Sequence, residues 1–270
     1  IYFPKRAEVI PQNGWVEIKE EVFNQADWGW KNATLSAEWV KRDAHTVDIF
    51  KNKFWLIGGV GGKAPDYSQN KSDIWVSENG KDWSLITDKA PFGKERAHDS
   101  VVFKDKLWIF GGVTGSEQYR NDIWNSVDGI NWAKIETTNI WTPRKGHSSV
   151  VYNDKLWIIG GVDIYGAVND VWVSEDGMDW KSATLKAPWT PRYDLTATVF
   201  NNKIWLTGGV TPGEMGEKDV WTTENGKDWQ LVTDNALWPG RHGHCLIVFQ
   251  DKLWILGGWN GNGVGYNDVW

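Results

Sequence analysis

The sequence predicts an all-β fold, a β-propeller in which four-stranded units stand around a common axis. Three observations predict it: a Gly-Gly pair that follows a short apolar run five times, a composition rich in tryptophan, and turn signals at regular spacing. The pairs begin at Gly58, Gly111, Gly160, Gly208 and Gly257, at spacings of 53, 49, 48 and 49 residues. Repeats of about 40 to 50 residues are typical of propeller blades.

Each unit is predicted to contain four short strands, which we call a to d in chain order. Strand b precedes the Gly-Gly pair, as in KLWIIGG, and strand c carries a second tryptophan, as in NDVWVS. A reversal such as Lys-Asp or Asn-Asn joins strands a and b, and an Asn-Gly or Asp-Gly turn joins strands c and d. Because Asn, Asp and Gly tolerate positive φ, both reversals are expected to be tight hairpins.

Tryptophan is predicted to fill the spaces between adjacent units. The chain has 22 Trp in 270 residues, and 19 of them fall on four positions of the repeat, in strands b, c and d and in the link from d to the next a. Phe92 replaces one link tryptophan. Each ring buries on the order of 200 Å², so we expect packing between units to hold the fold without disulfides. Cys245 is the only cysteine, and we expect it to be buried on a strand a.

The repeats predict one domain over residues 30–270, after an N-terminal extension at 1–29. The last unit ends at Trp270 in strand c, and the segment from Trp30 repeats the tryptophan spacing of the segment from Trp180. Five blades result if the N-terminal strand near Trp30 completes the last blade. Six blades are the alternative, because residues 20–30 resemble residues 170–180. Five are preferred, since that closure leaves no strand edge unpaired.

Charge and composition exclude several classes of partner. The net charge of −6 and the pI near 5.4 argue against nucleic acid or an anionic membrane as the main partner. No apolar stretch reaches the roughly 18 residues of a membrane span, so no span is predicted. The first residue is Ile, and the start of the chain is interpreted as processed or trimmed. The sequence does not determine the compartment; a secreted or periplasmic location is favoured over a cytoplasmic one.

The motifs resemble a known repeat. The stretch TPRKGHSSVVYNDKLWIIGG followed by NDVWVSEDGMDW is similar to the kelch repeat of kelch and galactose-oxidase-type β-propellers. The turn SEDGMDW also resembles a shortened Asp-box, a structural hairpin of bacterial sialidases. Such propellers include protein-binding scaffolds, carbohydrate-active proteins, a sugar mutarotase, a copper oxidase and metal-dependent specifier proteins. The copper chemistry would require a Cys-Tyr crosslink, and spacing identifies no tyrosine partner for Cys245.

One face of the predicted propeller varies more than the other. The b-c loops and d-a links form what we call the loop face, and the a-b and c-d hairpins form the hairpin face. The hairpins repeat almost unchanged, whereas the b-c loops differ in length and chemistry, as is typical of binding sites on a rigid scaffold. The candidate ligand-binding residues on the loop face are Arg42, Arg144, Arg192, Arg241, Tyr67, Tyr119, Tyr165, Tyr193, His242 and Trp259.

The residue types on this face suit a ligand with a ring or a carboxylate. Aromatic faces and forked guanidinium donors would bind a sugar or an acidic peptide. Alternatively, the arginines only fasten the d-a links to neighbouring units. The second unit departs from the pattern, with Glu95 in the arginine register and Arg96 one place later.

Other polar residues recur near the start of strand a. His45, His98, His147 and His244 share one register, but they belong to different units, whereas metal ligands must converge on one point. We therefore expect hydrogen-bonded structural histidines, with no metal and no cofactor. Asp48 and Asp99 are expected to line a wet central channel, and a catalytic acid-base pair is the alternative.

The leading hypothesis is a non-catalytic recognition module that binds a protein or carbohydrate ligand on the loop face. No catalytic residue is assigned. The first alternative is a sugar-processing enzyme of mutarotase or epimerase type, in which the face arginines hold the carboxylate of an acidic sugar. The second alternative is a structural or assembly protein. Neither the ligand nor the oligomeric state follows from the sequence.

Overall fold

A computed structural model describes residues 33–61, 69–137, 139–211, 213 and 216–270. Within these residues the chain is all-β and contains no α-helix. Consequently, no helix in the described part of the chain is long and apolar enough to cross a membrane.

The strands fall into five consecutive units. Unit 1 contains β1 (Thr46–Phe50), β2 (Lys53–Ile57), β3 (Ile74–Ser77) and β4 (Ser84–Thr87). Unit 2 contains β5 (Glu95–Arg96), β6 (Asp99–Phe103), β7 (Lys106–Thr114), β8 (Tyr119–Ser126) and β9 (Ala133–Ile135). Unit 3 contains β10 (Ser148–Tyr152), β11 (Lys155–Ile159), β12 (Val162–Asp163), β13 (Gly166–Ala167), β14 (Val171–Ser174) and β15 (Trp180–Thr184). Unit 4 contains β16 (Thr196–Phe200), β17 (Lys203–Thr207), β18 (Val220–Thr223) and β19 (Gln230–Thr233), and unit 5 contains β20 (Cys245–Phe249) and β21 (Lys252–Leu256).

Units 1, 3 and 4 are antiparallel four-stranded sheets with strands in chain order, as predicted for strands a to d. Unit 2 has the same four strands and adds β5, which pairs with β7 beyond the Gly-Gly pair. In unit 5 the described residues give two strands, and Leu256 of β21 forms an isolated bridge with Val269. The four-stranded arrangement of the repeat is therefore confirmed in units 1 to 4.

The two kinds of hairpin differ in their backbone. Both residues of every a-b reversal have positive φ, for example 51° and 54° at Asn153 and Asp154, as expected for a tight hairpin. In the c-d turns only the glycine has positive φ, such as 80° at Gly177. The expectation that both turn residues there have positive φ is wrong. The side chain of Asp176 instead accepts hydrogen bonds from the backbone NH groups of Met178 and Asp179. The same turn is repeated in units 1 to 4.

The core lies between units rather than inside them. Each of the four apolar clusters joins side chains of two consecutive units. Trp108 of unit 2 shows the principle: its Nε1 donates to the carbonyl of Phe103, and its ring covers Gly177 of unit 3 so closely that a Cβ would collide with it. Trp55 covers Gly129 and Trp157 covers Gly226 in the same way. The predicted role of tryptophan between units is thus confirmed at these interfaces.

In the part of the chain that the structure describes, nothing covers the faces at the two ends of the series. Among the described residues, Gly80 of unit 1 meets no tryptophan ring and Gly257 of unit 5 meets no side chain of a following unit. Val47 and Ile49 are 50% and 67% exposed on unit 1. Cys245 of unit 5 is also exposed, so the expectation that it is buried is wrong. The strand near Trp30 that we expect to complete the last blade lies outside the described residues.

Candidate functional site

The four predicted face arginines all lie inside the units. In unit 3, Arg144 donates to both carboxylate oxygens of Asp170 at 2.5 and 2.9 Å and to the carbonyl of Gly160 at 3.0 Å. Its side chain is 1% exposed. The same forked pairing joins Arg42 to Asp73, Arg192 to Asp219 and Arg241 to Asp268, with each arginine side chain fully buried.

These pairs are structural, because every forked donor is used within the unit. Each carboxylate also accepts the indole NH of the tryptophan two residues later, as Asp170 does from Trp172 at 2.8 Å. The arginines therefore join the d-a link to strand c of their own unit, not to a neighbouring unit. Hydrogen bonds from Arg241 hold the pKa of Asp268 below its usual value. We accordingly correct the expectation that Arg42, Arg144, Arg192 and Arg241 contact a ligand.

Among the described residues of the loop face, the most exposed aromatic side chain belongs to the b-c loop of unit 3. β12 and β13 form a small hairpin with Ile164 and Tyr165 at its tip, 73% and 87% exposed. Asp163 is buried and fixes this tip: one oxygen accepts from the NH of Tyr165 at 2.8 Å and the other from the hydroxyl of Thr142 at 2.7 Å. Thr142 in turn accepts from Arg144 at 3.0 Å. The buried arginine thus holds the backbone below Tyr165 in place.

A mixed group of charges stands beside the b-c loop of unit 2. Arg96 donates to Glu117 at 2.6 Å, and Lys145 lies 3.8 Å from the other oxygen of Glu117. The Lys145 ammonium also lies 5.6 Å from the centre of the Tyr119 ring. Burial, together with the nearby Arg96, lowers the pKa of Lys145. Tyr119 is therefore part of a charged, partly buried cluster rather than a free aromatic surface.

Three of the four remaining predicted face residues come from units 4 and 5. Trp259 is 49% exposed, and its backbone pairs with that of His242 at 2.9 and 3.0 Å. The His242 ring lies 3.8 Å from the carboxylate of Asp194. Tyr193 is half-buried and pairs through its backbone with Val210. Tyr67 lies outside the described residues.

The histidine register lies between units. Each buried imidazole packs against the first glycine of the preceding unit: His98 against Gly58, His147 against Gly111 and His244 against Gly208, while Leu195 takes the same place against Gly160. Burial lowers the pKa of His147 to about 3 and that of His98 to about 4. These rings are neutral at pH 7. Within the described ranges, no three His, Cys, Asp or Glu side chains are grouped as metal ligands.

The carboxylates of Asp48 and Asp99 connect the first strands of adjacent units. Asp48 accepts from the hydroxyl of Ser100, and Asp99 accepts from the NH of Ser149 at 2.5 Å. Burial raises their pKa values, to about 6 for Asp48 and about 7 for Asp99. Both therefore act as hydrogen-bond acceptors across an interface, which does not require a catalytic function.

Sequence reasoning missed exposed Ile164 and Glu117 and the half-buried Lys145, which lie among the described residues of the loop face. Lys145 occupies the position directly after the buried arginine, where the other units have Asp43, Arg96, Tyr193 and His242. Each of these residues pairs with the first residue after a Gly-Gly pair. The sequence signal was present: this position holds a different residue in every unit, directly after a position that is arginine in four of the five.

The fold and the face now define the class of the protein, a series of four-stranded repeat sheets with one variable face. A family model, the KLHDC2/KLHL20/DRC7 Kelch-repeats domain, matches residues 44–187, just over half of the chain. The chain therefore belongs to the kelch-repeat family. A search of the curated proteins found no match. Kelch repeats generally mediate interactions between proteins, which fits a non-catalytic recognition module.

Proposed function

We propose that this protein binds a partner protein through the loop face, with Tyr165 as a central contact. The observation that carries the proposal is the pairing of exposure and rigidity at this residue. Its side chain is 87% exposed, yet its NH is bonded to buried Asp163. A rigid exposed aromatic residue loses little conformational entropy on binding, and such residues dominate the energetics of protein interfaces.

Other side chains of the loop face support a polypeptide ligand. Ile164 adds an exposed apolar side chain at the same tip as Tyr165, and Trp259 adds an exposed ring on unit 5. Glu117 on the b-c loop of unit 2 and Lys145 in the d-a link of unit 3 add charges of both signs. Apolar anchors with a charged rim are typical of protein interfaces. The sugar-processing alternative loses the arginines on which it rested, because their donors are occupied.

A selection experiment tests the proposal. Peptides selected from a random library on the wild-type chain, and a glycan array probed with the same chain, supply ligands of both predicted kinds. We expect Tyr165→Ala to weaken the binding of the selected peptides about tenfold or more, as for an anchor residue of a protein interface. Met178→Ala is the matched control, since Met178 is 51% exposed on the hairpin face of the same unit.

Two outcomes would contradict the proposal. If Tyr165→Ala and Met178→Ala weaken binding equally, the loop face is not the binding surface. If the array yields glycans that bind in a Tyr165-dependent manner while no peptide does, the ligand is a carbohydrate.

We also propose that the ring closes with five units, with the strand near Trp30 completing unit 5. At the formed interfaces, the NH of Ala197 donates to Ser148, and the NH of Ser149 donates to Asp99. Cys245 shares the register of Ser148, and Val47 shares that of Ala197. A five-unit ring would therefore bring residues 245 and 47 within disulfide range, at a Cα separation below about 7 Å.

Crosslinking distinguishes five units from six. We expect Val47→Cys to form an intramolecular disulfide with Cys245 under mild oxidation, seen by mass spectrometry of a monomer. A Ser148→Cys and Ala197→Cys pair in a Cys245→Ser background is the positive control. If only the control pair crosslinks, a further sheet separates units 5 and 1, as in the six-blade alternative.

A further inference from the structure

Unit 2 places an acid where units 1, 3, 4 and 5 place the buried arginine. Glu95 occupies the arginine register, is 2% exposed, and has an Oε1 atom without a hydrogen-bond partner. Among the residues that the structure describes, the nearest cation is Arg120, whose Nε lies 4.0 Å from that oxygen. A buried carboxyl group without a close cation is costly when ionised.

The aspartate that pairs with arginine elsewhere faces Glu95 in unit 2. Asp122 has turned toward Lys134, which lies 2.9 Å away. The indole NH of Trp124, whose counterparts donate to this aspartate, is buried without a partner. Two carboxyl groups therefore share the pocket that holds one ion pair in each of the other units.

The protonation of Glu95 follows from these surroundings. Burial raises the pKa of Glu95 to about 8, with a further contribution from Asp122, while Arg120 and Lys134 act in the opposite direction. The carboxyl group is therefore neutral at pH 7. In the unfolded chain it would ionise near its ordinary value of 4.5.

Glu95 is connected to the loop face through β5. Glu95 pairs with Thr114, and Arg96 pairs with Val113. β7 and β8 continue into a hairpin over residues 113–120, closed by a bond from the NH of Thr114 to the carbonyl of Gln118 at 3.1 Å. Arg96 then contacts Glu117 at the tip of this hairpin. Displacement of β5 would therefore move the charged cluster of unit 2.

We propose that Glu95 is a pH-sensitive switch for the unit 2 loop: protonated, it holds β5 against β7, and ionised, it is repelled by Asp122 and releases the hairpin over residues 113–120. The proton leaves to solvent on the side of Arg120, whose side chain is 41% exposed. Any effect on partner binding rests on the proposed function; the structural change does not.

The direction of the effect follows from linkage. The folded chain keeps the Glu95 proton from about pH 4.5 to pH 8, whereas the unfolded chain releases it near 4.5. Because the pKa of Glu95 is raised in the folded chain, the contribution of Glu95 to the free energy of unfolding is fully present at low pH. This contribution is lost as pH rises through about 8. The groups that face Glu95 are Asp122, Arg120 and Lys134, and only Asp122 favours the proton.

NMR of the full chain, without any partner, tests the switch. With ¹³C-labelled glutamate, we expect one carboxyl resonance to titrate with a midpoint near pH 8. The amide resonances of Arg96, Thr114 and Gln118 are expected to move with the same midpoint. Glu95→Gln should remove both transitions. Glu78→Gln is the matched control, since Glu78 is an exposed glutamate on the hairpin face and its loss should change neither.

Asp122→Asn is the second variant, and it serves if Glu95→Gln does not fold. Removing the Asp122 charge should lower the midpoint by roughly 0.5 to 1 pH unit without abolishing the transition. The proposal is overturned if all glutamate carboxyl resonances titrate below pH 6. It is also overturned if the Glu95 resonance titrates near pH 8 while the three amides stay fixed. Neither result bears on peptide binding at pH 7.

Discussion

Units 2 and 3 are neighbours with the same strand order, yet they fill one buried position with opposite charges. In unit 3, Arg144 forms a forked ion pair with Asp170, and we call this arginine–aspartate pair the clasp. Strand b of unit 3 ends before the Gly-Gly pair. In unit 2, Glu95 replaces the arginine and strand b continues through the glycines to Thr114. The comparison shows that the repeat can lose its buried cation when a longer strand ladder connects the d-a link to the sheet.

A second position separates the same two units. The first residue of strand a is Asp99 in unit 2 and Ser148 in unit 3, and each bonds a backbone NH of the following unit. Unit 2 therefore holds two acids with raised pKa values, Glu95 and Asp99, where unit 3 holds none. We expect stability in unit 2 to depend on pH much more than in unit 3.

The largest expected effect comes from removing the clasp in unit 3. Arg144→Leu leaves the half-buried Asp170 without its cation and frees the link below Tyr165, so we expect a loss of about 3 to 5 kcal/mol in the free energy of unfolding. Urea denaturation followed by tryptophan fluorescence measures this loss. The double variant with Asp170→Asn should recover part of it. A loss below about 1 kcal/mol would show that the clasp is dispensable in unit 3 as well.

Installing the clasp in unit 2 sharpens the comparison in the opposite direction. Glu95→Arg places a guanidinium group beside Asp122. We expect the resulting charged hydrogen bonds to raise the free energy of unfolding by about 2 kcal/mol. The same denaturation series at pH 7 measures the gain, with Glu95→Gln as the uncharged control. If Glu95→Arg is no more stable than Glu95→Gln, the pocket of unit 2 no longer accommodates arginine.

The pH dependence of Asp99, at the interface between units 2 and 3, gives a smaller effect. Burial chiefly raises the pKa of Asp99 from 3.8 to about 7, so this residue's contribution to stability is lost as pH rises through about 7. Asp99→Asn keeps an acceptor for the NH of Ser149 and removes the charge. Between pH 6 and pH 8, we expect the free energy of unfolding of the wild-type protein to fall by about 1 kcal/mol relative to that of Asp99→Asn. Equal pH profiles of the two proteins would contradict this expectation.

The smallest effect concerns one hydrogen bond. Trp172 of unit 3 donates to Asp170, whereas Trp124 of unit 2 has no partner for its NH. We expect Trp172→Phe to lower the free energy of unfolding by about 1 kcal/mol more than Trp124→Phe does, because only Trp172→Phe removes a hydrogen bond. Thermal unfolding of the pair at pH 7 measures the difference. A larger cost at Trp124 would mean that its NH is hydrogen-bonded in solution.

Much of the fold was predictable because its signals are local. The a-b turns need two residues that tolerate positive φ, and those pairs stand in the sequence as Asn-Asp or Lys-Asp. The tryptophans repeat because each interface needs one large ring over a glycine, as Trp108 covers Gly177. The deviation at Glu95 was also visible, although its burial and its pairing with Asp122 were not.

The candidate site was only partly predictable. Tyr165 and Trp259 were identified from loop variability and are exposed. Arg144 was taken as a ligand contact because an arginine near a variable loop resembles a binding residue. Its partner Asp170 lies 26 residues away, and the sequence does not show that the two meet. Lys145 was missed for a similar reason, since its contact with Glu117 depends on the loop of another unit.

The sequence by itself determined the period of the repeat, the place of each turn, and the class of side chain between units, because these depend on φ preferences and ring size over a few residues. Only the tertiary structure decided which charged side chains form buried ion pairs within the fold and which remain on the surface. The physical reason is that burial and ion pairing depend on segments that are distant along the chain and come together only when the sheets form.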